Sequence, residues 1–113
     1  NTFSEDEVIV GIWFGKPLYR KTLSSTELVN STTILGIPHG IDNIDKIWVD
    51  NSTSYLLSVT GVSYSFPVIG YGGNITDKAY AYTDKTNVYV YSNGGWNTGW
   101  LKVITLLYTK TTD

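Results

Sequence analysis

Residues 79–82 read Ala-Tyr-Ala-Tyr and residues 88–91 read Val-Tyr-Val-Tyr, with the turn-forming run Thr83-Asp84-Lys85-Thr86-Asn87 between them. Strict alternation has a period of two, which a strand satisfies and a helix cannot. The pattern therefore predicts a β-hairpin whose tyrosines share one face while its small or branched side chains share the other. The rest of the chain is biased the same way, with 15 Thr, 10 Val and 10 Ile against 2 Ala, 3 Glu and no Gln or Met. Strand formers abound and good helix formers are scarce, so an all-β domain is expected. At 113 residues, a single domain spanning 1–113 buries roughly two thirds of its unfolded surface, enough for a core without cross-links.

Punctuation by Gly, Pro, Asn and Asp divides the remainder into strand candidates. Residues 8–14 and 18–23 flank Gly15-Lys16-Pro17 and read as a hairpin. A β-rich stretch over 28–37 ends at Pro38-His39-Gly40, and Asp42-Asn43-Ile44-Asp45 reads as a turn feeding 46–49. Residues 50–54 read as a plain loop, followed by strand candidates 55–62 and 64–69; Pro67 marks the second as an edge strand. The last candidate, 100–109, has Leu101, Val103, Thr105 and Leu107 on one side and Trp100, Ile104, Leu106 and Tyr108 on the other. Both sides are apolar, so cover is expected on both, by a second sheet and by something else, a neighbouring subunit being one candidate. The expected architecture is an antiparallel β-sandwich, jelly-roll-like in kind.

Several functions are excluded at this level. No cysteine is present, so thiol nucleophiles, zinc ribbons and iron–sulfur clusters are ruled out. A formal charge of -2 lacks the basic face that nucleic acid needs. No apolar run approaches the roughly 20 residues of a membrane helix. The chain starts at Asn1 rather than Met, which fits a piece of a longer protein. His39 is the only histidine and sits between Pro38 and Gly40, where a loop residue bonded to backbone is the simplest reading. Asp42, Asp45, Asp50, Asp77 and Asp84 all lie in turn-like contexts, which fits turn closure better than paired carboxylate catalysis. Asp42-Asn43-Ile44-Asp45 lacks the spacing of a calcium loop. Neither an enzyme, a metal nor a cofactor is expected.

Aromatic residues carry the strongest chemical signal, with 9 Tyr, 4 Trp and 3 Phe. A flat ring beside Asn or Asp suits a sugar, whose apolar face stacks on the ring while amides and carboxylates bond its hydroxyls. Trp96 and Tyr71 in glycine-rich loops, Asn93 and Asn97 beside Trp96, and Tyr89 and Tyr91 on the hairpin are the candidate ligand-binding residues. Packing within the domain or between subunits is the expectation for Trp13, Trp48 and Trp100.

The run Gly11-Ile12-Trp13-Phe14-Gly15-Lys16-Pro17-Leu18-Tyr19-Arg20-Lys21-Thr22 resembles a segment near the C-terminal ends of many bacteriophage tail-fibre and related virion proteins. Pro38-His39-Gly40-Ile41-Asp42-Asn43-Ile44-Asp45 and the end Leu107-Tyr108-Thr109-Lys110-Thr111-Thr112-Asp113 resemble the same proteins. Phe14 departs from the pattern, which more often carries a small or acidic residue there. The resemblance implies the C-terminal tip of a longer fibre, a homotrimer contacting a host cell-surface glycan, carried on a virion assembled in the bacterial cytoplasm. It supplies no catalytic residue. A structural trimerisation or decoration domain without a ligand is the alternative, and a depolymerase fragment is disfavoured by the turn-forming carboxylates.

Overall fold

A computed structural model of the chain describes residues 6–26, 34–58, 60–69, 78–92 and 101–113. Its strands are β1 (Val8–Trp13), β2 (Lys16–Ser25), β3 (Leu35–Pro38), β4 (Ile44–Val49), β5 (Tyr55–Leu57), β6 (Ser63–Ser65), β7 (Val68–Ile69), β8 (Lys78–Thr83), β9 (Asn87–Ser92) and β10 (Leu101–Lys110). Every pairing among them is antiparallel. One sheet runs β1-β2-β10-β5-β6 with β4 also paired to β10, and the other runs β3-β9-β8-β7. No helix among the described residues is long and apolar enough to cross a membrane.

The two sheets share one apolar cluster. Ile44, Leu56, Ile104, Leu106 and Tyr108 enter it from the first, and Leu35, Ala79, Val88 and Val90 from the second. Alternation on β8 and β9 has the predicted consequence: the small and branched side chains turn inward, and Tyr80 faces Tyr91 as Tyr82 faces Tyr89 across the hairpin. At the β1–β2 turn, Phe14 (φ 51°) and Gly15 (φ 81°) form a two-residue loop, with Trp13 paired to Lys16. Positive φ at both central residues matches strand twist, so Lys16 and Pro17 belong to the strand and not to the connection expected for them.

Two apolar sides on the last strand have an explanation inside the chain. β10 is a central strand, between β2 on one edge and β4 with β5 on the other. Ile104, Leu106 and Tyr108 point into the apolar cluster, while Val103, Thr105 and Thr109 on the opposite side are buried by the same chain. Leu101 and Leu107 on that side stay half-buried. That second side is hydroxyl-lined, and Thr105 Oγ1 lies 3.2 Å from Thr22 Oγ1.

β10 changes partner from β4 to β5 beside Thr105, and residues 50–54 close the gap. Asp50 N–H donates to the Thr105 carbonyl at 2.8 Å, and Thr105 N–H donates to Ser54 Oγ at 3.0 Å. The expected plain loop is a 3-10 turn, Asn51–Thr53, capped by the Asp50 carboxylate, which accepts from Ser52 N–H at 3.2 Å, Ser52 Oγ at 2.7 Å and Thr53 Oγ1 at 2.9 Å. Short polar side chains can replace ladder bonds in this way. The expected strand over 64–69 is also divided, because the cis Phe66–Pro67 bond lies where the chain passes from β6 in one sheet to β7 in the other. Removing the cap in Asp50→Ala should cost about 1–2 kcal/mol, read as a lower urea midpoint with an unchanged denaturant slope.

Candidate functional site

With Ala79, Val88 and Val90 held in the core, the tyrosines of β8 and β9 are forced outward. Tyr80 and Tyr91 have ring centroids 5.1 Å apart, Tyr82 and Tyr89 stack at 5.1 Å, and Tyr80 and Tyr82 stand 6.0 Å apart along β8. Tyr80 and Tyr82 keep 39% and 42% of their surface exposed. On the neighbouring strand, Gly36 pairs with Tyr89, whose ring lies in van der Waals range of where a side chain would begin. The result is a strip of four rings along one face of the second sheet, with Tyr80 and Tyr82 exposed and Tyr89 and Tyr91 half-buried.

Polar groups finish one end of the strip. Tyr89 OH donates to Asp84 Oδ2 at 3.0 Å and accepts from Asn87 Nδ2 at 3.1 Å. Asp84 Oδ1 in turn accepts from the backbone N–H groups of Asn87 at 2.7 Å and Thr86 at 2.8 Å. Those two amides, Asn87 first, hold the Asp84 carboxyl below its ordinary range. Rings flanked by a fixed carboxylate and an amide are what stacking plus hydroxyl recognition of a saccharide requires.

Of the candidate ligand-binding residues, Tyr89 and Tyr91 lie in this strip, whereas Tyr71, Asn93, Trp96 and Asn97 fall outside the described residues, as does Trp100. Tyr80 and Tyr82 are the more exposed half of the strip. Their place was signalled by the same alternation that placed Tyr89. Asp84 and Asn87 read as turn formers alone, although the alternation that orients Tyr89 also puts Asn87, two residues earlier on β9, on the same face. Trp48 is half-buried with the Trp13 ring tilted against it at 5.0 Å, yet Trp13 itself stays 41% exposed.

His39 is buried and spends both ring nitrogens on backbone. Nδ1 accepts from Ile41 N–H at 3.2 Å, which leaves the proton on Nε2 to reach the Asp84 carbonyl at 2.9 Å. Its role is to tie the link between β3 and β4 to the turn that ends the tyrosine strip. Asp45 lies in strand β4, not in a turn, and bonds Lys16 Nζ at 3.2 Å. Among the described residues no group of three or more His, Asp or Glu side chains could hold a metal.

Segments 11–22, 38–45 and 107–113 meet in space. Lys16 Nζ donates to Asp45 and, at 3.1 Å, to the Lys110 carbonyl; Lys21 Nζ donates to the His39 carbonyl; and Thr111 N–H donates to the Asn43 carbonyl at 2.7 Å. Tyr19 and Tyr108 stack at 5.5 Å, Tyr19 OH donates to Asp113 Oδ2 at 2.6 Å, and Glu7 accepts from Tyr108 OH at 2.6 Å and Lys110 Nζ at 2.9 Å. Partial burial raises the Glu7 pKa, but the bonds from Tyr108 and Lys110 outweigh it and leave it lowered. The Asp113 carboxylate pushes the Tyr19 phenol up to about 12. In structural terms these segments are one polar seam joining β1, β2, β4 and β10.

The seam sets the pH range of stability. Glu7 and Asp45 are lowered from ordinary values of 4.5 and 3.8, so their contribution is complete above about pH 4.5 and is lost as the pH falls through the folded values. Tyr19 is raised from 10.0, so its contribution is complete below pH 10 and is lost as the pH climbs towards 12. Thermal melts from pH 2 to 12 should show a plateau between these limits, and Tyr19→Phe should make the alkaline side less steep without flattening it, because burial and the bond to Glu7 also raise the Tyr108 phenol. In comparisons with known proteins, no family description, curated protein or solved structure matches this chain.

Proposed function

We propose that this chain is the receptor-binding domain of a bacteriophage tail fibre, attaching to host cell-surface carbohydrate. The observation that carries the reading is the strip of Tyr80, Tyr82, Tyr89 and Tyr91 ending in Asp84 and Asn87. Rings held by sheet geometry lose little freedom when a ligand stacks on them, which favours binding of a small polar ligand. Tyr71, Asn93, Trp96 and Asn97, outside the described residues, are proposed as ligand-binding residues from the sequence alone. The segments resembling virion proteins support the fibre assignment, with a jelly-roll-like β-sandwich as a homotrimer at a fibre tip on the virion; three weak sites would then act through avidity. No catalytic role is proposed for the carboxylates, because Asp45, Asp50 and Asp84 are engaged in ion pairing or turn closure.

One observation favours a second reading, a structural trimerisation or decoration domain. β1 leaves Ile9, Val10 and Ile12 exposed on an edge strand without Pro or charge, a surface suited to a protein partner.

A glycan array and a cell-adhesion assay on the wild type and on Tyr80→Ser/Tyr82→Ser separate the two readings. The double variant should lose at least tenfold in adhesion while its stability falls by only about 0.5–2 kcal/mol, the scale of two cross-strand pairs. Adhesion unchanged in the variant removes the strip from the site. A stable oligomer in sedimentation that binds neither glycan nor cells establishes the structural reading instead.

A further inference from the structure

The loop that joins β1 to β2 carries a second unusual feature. Phe14 is held at φ 51° with 91% of its surface exposed. Left-handed backbone at this site favours Gly, Asn or Asp, and a bulky aromatic there is disfavoured. An exposed Phe adds little to burial, and its ring contact is the edge-to-face one with Trp13 at 5.3 Å and 85°. The hand of the turn accounts for the positive φ but not for an aromatic side chain there, and a residue held in a conformation it disfavours marks a place to look for function.

Beside these rings lies an open cleft of about 400 Å³, lined by Trp13, Phe14, Lys16, Asp45, Lys46 and Thr109. That volume is ligand-sized. Lys16 at 3.2 Å, Lys46 at 3.6 Å and Thr109 Oγ1 at 3.4 Å all converge on Oδ2 of Asp45. No described residue bonds Oδ1, and the Asp45 side chain keeps 31% of its surface exposed. Two ammonium groups face one carboxylate, and the Lys46 side chain, 67% exposed, has donors to spare. Aromatic walls, a part-exposed carboxylate and surplus positive charge match a pyranose that carries an acidic group.

We infer that this cleft binds an acidic saccharide, with the sugar face on Trp13 and Phe14, a hydroxyl on Asp45 Oδ1 and the acid on Lys46. The inference extends the carbohydrate-binding reading but uses none of the residues of the tyrosine strip, so the two can fail independently.

Calorimetric titration of uronate, sialyl and phosphorylated oligosaccharides, each beside its neutral parent, tests it. At least one acidic member should bind tenfold or more tighter than its parent, and the preference should shrink as salt rises. Phe14→Asn suits the left-handed backbone, so it should melt no lower than the wild type while weakening the acidic ligand at least tenfold. Lys46→Gln should bring the acidic and neutral members level. Tyr80→Ser/Tyr82→Ser should leave this binding intact. The inference is overturned if no acidic member outbinds its parent, if Phe14→Asn binds as the wild type does, or if binding disappears in the tyrosine variant instead. It is also overturned if Phe14→Asn converts an oligomer to monomers in sedimentation, since the cleft would then face a second copy of the chain.

Discussion

The central position of β10 is the constraint on which the rest depends. A strand with neighbours on both edges must satisfy every backbone donor and acceptor along its length, because an unpaired buried group costs about 1–3 kcal/mol. β2 satisfies one edge in an unbroken register from Lys102 to Tyr108. The other edge is shared by β4 and β5, and the join at Thr105 would orphan two groups. Asp50 and Ser54 supply them, which explains why a run of Asp, Asn, Ser and Thr lies beside an interior strand and not at the surface alone.

From that strand the molecule becomes apolar on one side and polar on the other. Ile104, Leu106 and Tyr108 meet the inward side chains of β3, β8 and β9, and this contact presses the second sheet into place. Across the opposite face and along the rim, hydroxyls, carboxylates and lysines take over. Lys16, Asp45, Glu7, Lys110 and Asp113 link segments far apart in sequence through bonds of 2.6–3.2 Å. Exposed ion pairs of this sort contribute little individually. Their value here is geometric, since they fix which strand ends meet and hold the β1–β2 turn beside β4.

The two aromatic surfaces follow from these placements for different reasons. Tyrosines on β8 and β9 are outward because their sequence neighbours are inward, a local consequence of strand pleat. Trp13 and Phe14 are outward because a two-residue turn of fixed hand leaves them beyond the rim of the sheet. One surface is a flat strip closed by Asp84, and the other is a cleft beside Asp45.

Much of this was legible in the linear chain, and the limits are physical. Alternation between residues 79 and 91 determined a hairpin, its inward residues and its tyrosine face, because strand pleat is set by nearest neighbours. The shortage of helix formers determined the all-β class. A linear reading took Pro67 as the mark of an edge strand over 64–69, but did not show that this stretch divides at Pro67 and the chain changes sheets there. Apolar sides on residues 101–109 revealed cover on both faces without saying how much of it the chain itself supplies. Partners such as His39 with the Asp84 carbonyl, and Lys16 with Asp45, arise when strands from different parts of the chain are brought side by side. Side-chain period is a property of the local backbone and is written in the sequence; which strand lies next to which is decided by the shared core, and only the tertiary structure contains it.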